Sequence, residues 1–462
     1  MGKNTDSLFV SDEELEIFEL TKVGFDQSME DFLKEKKAIS LEFARQFNLN
    51  LVLGNEAAAP LIHFISTAVS SNMGKAVREP TKRQLICLFA NLYRHHCIHP
   101  EMWTKVYRRN QIAIPTVTNP SGIVWKTLAG ITNALVGLGY IDLVKGTFDR
   151  SNKNKKQKNK RSRIRATVKL IELFENHFKL SFKDIGFHTN SEPIVMKGPK
   201  QKDKTKPLIN YCDTPRTIDD RKLIRAYNKF IQEQEVIFPW SPSRLIPDLI
   251  YTTRVFSNGS WNEGGRLFGG EFQNLPKEIR SKITINSQLV CEIDISSCHA
   301  VMAFAEVGVD WFAANNCDLY QLNEAGDWPR GVVKRAFSIM LNVDNEKSAI
   351  KALVKEATNE HWSHSYKQVD RPEWYNHLIA DMKKAYPEIV TNFCKARGMH
   401  YMRQEGEVAL LVINECLQQG IPVLTLHDSY IVPEQHAAFV AGIIGTAFRK
   451  VVGVDCKTKS SW

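Results

Sequence analysis

Residues 287–304, SQLVCEIDISSCHAVMAF, join an apolar run to a segment of helical composition, and an aspartate stands near the junction. The run from Leu289 to Ile295 has the length and apolar character of a buried strand, with Asp294 at its end. A carboxylate at the tip of a buried strand is costly unless it binds something. Most such aspartates cap turns, so a functional interpretation needs a partner.

A second apolar stretch, GIPVLTLHDSYIV at 420–432, supplies that partner. His427, Asp428 and Ser429 interrupt it, which predicts a hairpin with a polar tip. We expect Asp294 and Asp428 to lie on adjacent strands and to hold two Mg²⁺ ions. Two metals roughly 3.5–4 Å apart stabilise the attacking and leaving oxygens in phosphoryl transfer.

Between the aspartates, residues 328–342 read WPRGVVKRAFSIMLN, a pattern that predicts a helix. Arg330 and Lys334 are four residues apart and share a face of that helix. Two cations beside a metal site suit a nucleoside triphosphate tail. The alternative is an exposed basic helix without a ligand.

In this order the segments resemble the polymerase palm shared by family A DNA polymerases and single-subunit phage-type RNA polymerases. The resemblance covers residues 254–456 and rests on four short motifs, which are GGRLFGGEFQNLPKEIRSKITIN (264–286), DISSCH as motif A, RGVVKRAFSIMLN as motif B and LHDSYIV as motif C. It implies an α+β fold with an antiparallel palm sheet. The short motif spacing implies reduced fingers.

The resemblance also implies roles for single residues. Asp294, Asp428 and the backbone carbonyl of Ile295 would bind two Mg²⁺ ions, with Mn²⁺ as a substitute. Lys334 would contact the triphosphate and protonate pyrophosphate, and Arg330 would contact the phosphates. The residues that would contact a DNA template and primer are Arg266, Gln273, Arg280, Gln404 and His427. For Gln404 and the adjacent Glu405, a surface helix is the competing interpretation.

Two departures from the family pattern concern the nucleotide. Asn342 and Val343 stand about where both families carry Tyr-Gly, which makes Asn342 a candidate nucleotide contact. His299 lies five residues after Asp294, where family A DNA polymerases place a glutamate that excludes the ribose 2′-hydroxyl. A bulky imidazole favours dNTPs, whereas the His-Asp-Ser of motif C is the phage RNA polymerase version. The choice between dNTPs and NTPs stays open, with a preference for dNTPs.

The region before the palm predicts a DNA-binding module. A helix, a strand, a basic turn and a returning strand follow one another within 79–187, the order of a winged helix. Ten Lys or Arg and no acidic residue lie between Arg150 and Lys169, and the predicted DNA contacts among them are Lys155, Lys156, Lys160 and Arg161. The full predicted division is a helical region at 1–78, the winged-helix-like domain at 79–187, a basic linker at 188–215, and palm and fingers at 216–462.

Composition narrows the protein class. The 462 residues include 61 basic and 51 acidic side chains, a net charge of +10 that is compatible with a polyanionic partner. No apolar run reaches the length of a membrane span, the start is acidic where a signal peptide is basic, and nine cysteines lack regular spacing. These features predict reduced thiols and no membrane partner, as in the cytoplasm of a bacterium or a phage-infected host.

The favoured interpretation is therefore a DNA polymerase that replicates a phage, plasmid or mobile element. The first alternative is a single-subunit RNA polymerase or primase. The second is a non-catalytic replication initiator whose palm has become a DNA-binding scaffold. No feature of the sequence identifies a protein partner.

Overall fold

The structure is a computed structural model of the chain. The residues it describes are 41, 44–107, 114–115, 118–146, 161–201, 206–238, 246–247, 249–315, 318–322, 328–358 and 372–461. The predicted helical segment before residue 41 lies outside them, as do Lys155, Lys156 and Lys160. Helices and strands both contribute, so the α+β class agrees with the sequence.

The helices are of very unequal length. They are α1 (Asn55–Met73), α2 (Glu79–Ile98), α3 (Trp125–Gly137), α4 (Val168–Glu172), α5 (Pro215–Gln232), α6 (Lys277–Arg280), α7 (Cys298–Ala305), α8 (Trp311–Ala314), α9 (Arg330–Asn342), α10 (Glu346–Thr358), α11 (Pro372–Ala385), α12 (Gly398–Gln418) and α13 (Ala437–Val452).

Most strands are short. They are β1 (Arg45–Gln46), β2 (Leu51–Leu53), β3 (Thr104–Val106), β4 (Ile141–Val144), β5 (Ser162–Ala166), β6 (Ile185–Phe187), β7 (Ile194–Met196), β8 (Val236–Phe238), β9 (Ile246–Pro247), β10 (Thr253–Ser257), β11 (Ser260–Phe268), β12 (Thr284–Ile285), β13 (Gln288–Ile295), β14 (Leu424–Leu426), β15 (Ser429–Pro433) and β16 (Thr458–Ser461).

One hydrophobic core, which we call the N-terminal core, extends from Leu51 to Ile185. Helices α1 and α2 both contribute to it, so the predicted boundary at residue 78 does not separate two cores. The expectation of helix throughout the described part before α1 is wrong, because β1 and β2 lie there. They pair with β3 and β6, which are far along the chain, and local periodicity carries no signal for such pairing.

The predicted helix, strand and returning strand of the winged-helix-like region are present. α3 is followed by β4, which pairs antiparallel with β5 in the register Ile141↔Ala166. These strands belong to a four-stranded sheet of order β1-β3-β5-β4. Arg161 immediately precedes β5, and the basic tip itself lies outside the described residues.

Residues 188–215 are not a free linker. Strand β7 lies within this segment and pairs in parallel with β10, with Val195 opposite Val255. The hydroxyl of Tyr211 also donates a 2.9 Å hydrogen bond to the carbonyl of Ile194. The polar composition concealed a strand whose partner follows some sixty residues later.

A second hydrophobic core, the C-terminal core, is built almost wholly from residues 194–448. Its seven-stranded sheet has the order β14-β15-β13-β12-β8-β9, with β16 on the other side of β13. Every pair in it is antiparallel, as the sequence predicted. No helix of the described residues combines the length and apolarity needed to cross a bilayer.

Helix α9 follows directly from its sequence pattern. Its buried residues Val333, Ala336, Phe337 and Met340 recur at three- and four-residue intervals. Pro329, which stands before its first turn, has an extended backbone and limits the helix at that end. The apolar stripe faces the C-terminal core, so the remaining face carries charge outward.

Candidate active site

Asp294 and Asp428 lie on neighbouring antiparallel strands. In the register of β13 and β15, Asp294 is opposite Ser429, the residue after Asp428. The hydroxyl of Ser429 donates a 2.8 Å hydrogen bond to Oδ1 of Asp294, and the amide of Ile295 donates one of 3.0 Å to the carbonyl of Asp428. The strand pairing therefore brings the two aspartates together across 134 positions of sequence.

The backbone next to each aspartate has an unusual conformation. His427 and Asp428 form the two-residue turn between β14 and β15, and His427 has φ of 56°. Ser297, at the start of α7 just after β13, has φ of 55°. Non-glycine residues in the left-handed region are uncommon, and they cluster at functional sites. Both lie within three residues of a candidate metal ligand.

Asp428 is largely removed from solvent and lies near other negative charges. Burial, followed by the charges of Glu405 and Asp294, raises the pKa of Asp428 from 3.8 to about 6. Among the described residues, three buried side-chain atoms of this site have no hydrogen-bond partner: Glu405 Oε1, His427 Nδ1 and Tyr430 Oη. The buried Oε1 of Gln404, the residue before Glu405, has none either. Buried polar groups are seldom left unpaired, so this concentration points to a missing polar ligand.

The donor set fits a magnesium ion. Within the described part of the chain, no group of three or more His, Cys, Asp or Glu side chains is arranged to hold a metal. Magnesium, however, is commonly bound through one or two carboxylates together with the phosphates of a substrate. Asp294 and Asp428 match that pattern, and a cation would offset the repulsion that raises the pKa of Asp428.

Glu405 of α12 contacts two other side chains of the site, Arg266 and His299. It is only 2% exposed and forms an ion pair with Arg266 of β11. His299 Nε2 lies 2.9 Å from Glu405 and 3.2 Å from Arg266 Nη2. Burial alone would raise the pKa of Glu405, but His299 and Arg266 outweigh it and the pKa is lowered. Glu405 is therefore an ionised, inward-facing group, not part of a surface helix.

His427 contacts Phe268, the last residue of β11. Its ring meets that of Phe268 edge-to-face with centroids 5.7 Å apart. Burial, followed by the charge of Arg266, lowers the pKa of His427. A neutral imidazole is thus the form that the site presents near pH 7.

The two cations of α9 lie beside Tyr320. The ring centroid of Tyr320 is 5.5 Å from the Arg330 guanidinium and 6.0 Å from the Lys334 ammonium. Both cations are exposed, and Arg330 also forms an ion pair with Asp318. Tyr320 itself is buried, which raises its pKa, while a hydrogen bond with the Ser297 side chain lowers it. Tyr320 therefore connects the basic face of α9 to the start of α7, three residues after Asp294.

Two of the predicted nucleic-acid contacts are engaged within the protein. Arg280 makes two hydrogen bonds to Glu292, of 2.7 and 2.8 Å, and a third of 2.8 Å to the carbonyl of Leu275. Gln273 donates to the carbonyls of Leu267 and Thr425 at 3.1 and 2.8 Å. A phosphate contact at Arg280 would compete with this ion pair, so its predicted role stays a prediction.

The other predicted contacts are more dispersed. Asn342 is exposed at the C-terminal end of α9, about 18 Å along the axis from Arg330, and its amide donates to the carbonyl of Ser338 at 2.8 Å. Arg161 lies in the N-terminal core region, where it donates a 2.7 Å hydrogen bond to Gln46 and stacks 4.2 Å from the ring of Tyr107. Neither joins the cluster around Asp428.

Sequence reasoning missed two residues at this site. Tyr320 carries no local signal, because only the packing of α9 places it there. Lys459 of β16 is the register partner of Asp294 on the side away from Ser429. Residues directly opposite each other in antiparallel strands point to the same face, so Lys459 lies on the sheet face of Asp294. An isolated strand pattern near the C-terminus could not have indicated which strand it joins.

Comparisons with known proteins add little to this geometry. No protein-family model and no curated protein matches the chain. Among solved structures, the polymerase domain of Pol1 from M. smegmatis, in complex with DNA primer-template and dNTP, is similar at a TM-score of 0.27 and 9% identity. The match covers 89% of this chain, which spans 66% of that polymerase domain. A superposition of this quality carries no argument, so the function is argued from the site alone.

Proposed function

We propose that the protein is a template-directed nucleotidyltransferase that uses two divalent cations, and that its activity is DNA synthesis in the replication of a phage, plasmid or mobile element. The observation that carries this proposal is the pairing of Asp294 and Asp428 on adjacent strands, with the pKa of Asp428 raised to about 6. Asp428 loses solvent and lies near the charges of Glu405 and Asp294, and a bound cation would offset both effects.

In this proposal Asp294 and Asp428 hold the ions, with the carbonyl of Ile295 as a further ligand. Bound Mg²⁺ would supply charge stabilisation for the attacking and leaving oxygens of phosphoryl transfer. The hydrogen bond from Ser429 orients the Asp294 carboxylate, as partners of metal ligands commonly do.

The triphosphate would lie against the exposed face of α9. Arg330 and Lys334 would bind its oxygens, and Lys334 would give a proton to the leaving pyrophosphate. The ring of Tyr320 makes cation–π contacts with both side chains. His299, held by Glu405 and Arg266, would lie near the sugar, and His427 would lie near the primer end.

RNA synthesis is the second candidate, and Ser429 favours it. The residue after the motif C aspartate is a serine, as in phage-type RNA polymerases, and its hydroxyl is engaged with Asp294. A steric argument from His299 favours DNA. The substrate experiment below therefore includes both sugars.

The test is primer extension on a primed single-stranded DNA template, with labelled dNTPs or NTPs, with and without Mg²⁺. Asp294→Asn and Asp428→Asn should each reduce extension by at least about 100-fold, since several kcal/mol of charge stabilisation are lost and each 1.36 kcal/mol is tenfold. Asp219→Asn is the matched control, because Asp219 is an exposed aspartate of α5 whose ion pair is with the exposed Lys222, across 3.6 Å.

The outcomes separate the candidate functions. Extension with dNTPs alone supports the DNA polymerase, and extension with NTPs, or synthesis without a primer, supports the RNA polymerase or primase. Template binding that persists in all variants, with no synthesis under any condition by the wild type, would establish the non-catalytic initiator instead. Extension by Asp428→Asn at the wild-type rate would exclude the two-cation site.

A further inference from the structure

A cleft of about 780 Å³ separates the N-terminal core from the C-terminal core. One wall comes from β1, the loop after it, α2 and β3, and includes Arg45, Phe47 and Lys105. The other wall comes from β10 and the segment after β11, and includes Gly270 and Asn274. The proposed catalytic residues do not line it.

The charged side chains that line the cleft are basic. Arg45, Arg94 and Lys105 line it, and none of the described residues that line it is acidic. In the sheet register Lys105 lies between Gln46 and Arg163, so Arg163 lies beside it on the same face of the sheet. Burial, followed by the charges of Arg163, Arg161 and Arg45, lowers the pKa of Lys105. These cations repel one another, which a bound anion would relieve.

The neighbouring arginines are held by neutral oxygens. Arg161 donates to the side-chain carbonyl of Gln46, and Arg163 donates to the backbone carbonyls of Leu41 and Arg161 at 2.9 Å each. Such contacts fix the positions of the guanidinium groups without cancelling their charge. Arg161 and Arg163 therefore add positive charge beside Lys105, although neither of them lines the cleft.

The end of β11 lies between the candidate active site and the cleft along the chain. Phe268 ends β11 and packs on His427, the residue before Asp428. The next two residues, Gly269 and Gly270, already line the cleft. Three consecutive residues thus connect the ring that packs on His427 to the lining of the cleft.

We propose that this cleft binds a single strand of nucleic acid, with a backbone phosphate on Lys105 and bases toward Phe47 and the apolar wall. Positively charged grooves with aromatic side chains are how proteins bind single strands without reading their sequence. The volume is that of a small-ligand pocket, roughly 300–1,000 Å³, so a duplex would touch only the rim. The inference rests on the proposed function for identifying the strand as the template.

The experiment measures binding of a fluorescein-labelled twelve-residue oligothymidylate to the full chain by anisotropy, over a series of salt concentrations. Lys105→Gln should weaken binding about threefold to tenfold. It should also reduce the slope of log affinity against log salt by about 0.7, the value for one lost phosphate contact on a single strand. Lys105→Arg should retain both the affinity and the slope.

Lys183→Gln is the matched control, since Lys183 is an exposed lysine near the N-terminal core that does not line the cleft. Melting curves establish that each variant is folded, and Lys105→Met replaces Lys105→Gln if the latter is destabilised. Unchanged affinity and slope in the Lys105 variants overturn the proposal. Equal losses for an oligothymidylate and for a duplex of the same length also overturn it, because they assign Lys105 to a general basic surface.

The result can be distinguished from failure of the proposed function. If the wild type does not extend primers but its binding depends on Lys105, the polymerase proposal fails and the cleft stands as a single-strand site. If it extends primers and Lys105 has no effect on binding, the cleft proposal fails alone.

Discussion

The hydroxyl of Ser429 donates a 2.8 Å hydrogen bond to Oδ1 of Asp294, and it does so from the residue next to Asp428. One side chain therefore fixes the orientation of the first aspartate while its backbone positions the second. This relationship makes Ser429 the most direct probe of the paired carboxylates.

Ser429→Ala should weaken cation binding without removing a candidate ligand. Loss of a hydrogen bond to a metal ligand commonly costs about 10- to 100-fold in affinity or activity. We expect the Mg²⁺ concentration that gives half-maximal primer extension to rise by about tenfold, with extension restored at high Mg²⁺. An unchanged Mg²⁺ dependence would show that the Ser429 hydroxyl does not orient Asp294 for binding.

Asp428 should destabilise the cation-free protein above pH 6. Its pKa is raised in the folded state, from 3.8 to about 6, so the folded protein binds this proton more tightly than the unfolded chain does. Stability therefore falls as pH rises from about 4 to 6 and stays lower above that, by at most about 3 kcal/mol at 1.36 kcal/mol per pKa unit.

Melting in the presence of EDTA checks this. Asp428→Asn should melt several degrees above the wild type at pH 8 and equal it at pH 4, since each kcal/mol is worth about 2–4 °C in a domain of 150–250 residues. Added Mn²⁺ or Mg²⁺ should raise the melting temperature of the wild type only. A variant that melts below the wild type at pH 8 without cations would contradict this prediction.

The Arg280–Glu292 pair should contribute to stability. Both side chains are largely buried, and their contact is bidentate. Urea unfolding of Arg280→Ala, Glu292→Gln and the double variant should give a coupling free energy of about 1–3 kcal/mol. The exposed pair Arg449–Asp455 is the control and should give less than about 1 kcal/mol.

The same variants test the phosphate contact that the sequence predicted for Arg280. If Arg280 acts only through Glu292, primer-template affinity measured at a temperature where every variant is folded should not change. A loss of primer-template affinity in Arg280→Ala that is absent in Glu292→Gln would support a direct contact between Arg280 and phosphate.

The ring of Tyr320 should hold Arg330 and Lys334 in position to bind the nucleotide. A cation–π contact at an exposed position contributes about 0.5–1 kcal/mol, so Tyr320→Leu should raise the KM for the nucleotide about twofold to fivefold with little change in kcat. Tyr320→Phe keeps the ring and should retain the wild-type KM. Equal KM values for the Leu and Phe variants would exclude the ring as the supporting group.

Local patterns were sufficient for the elements that carry the proposed chemistry. Strand β13, the β14–β15 hairpin and helix α9 each follow from apolar spacing within fewer than twenty residues. The side of α9 that bears Arg330 and Lys334 follows as well, because helical periodicity assigns faces without any knowledge of the partner.

Contacts distant in sequence decided the rest. Whether Glu405 lies on the surface or in the interior depends on where α12 meets β11. In the structure its carboxylate contacts Arg266 and His299. The sequence predicts a linker where strand β7 lies, because β10, with which β7 pairs, follows some sixty residues later. Such choices depend on burial and on pairing between remote segments, whose free energy is absent from any short window of sequence; the pattern predicted which segments form, and tertiary packing decided which side chains meet.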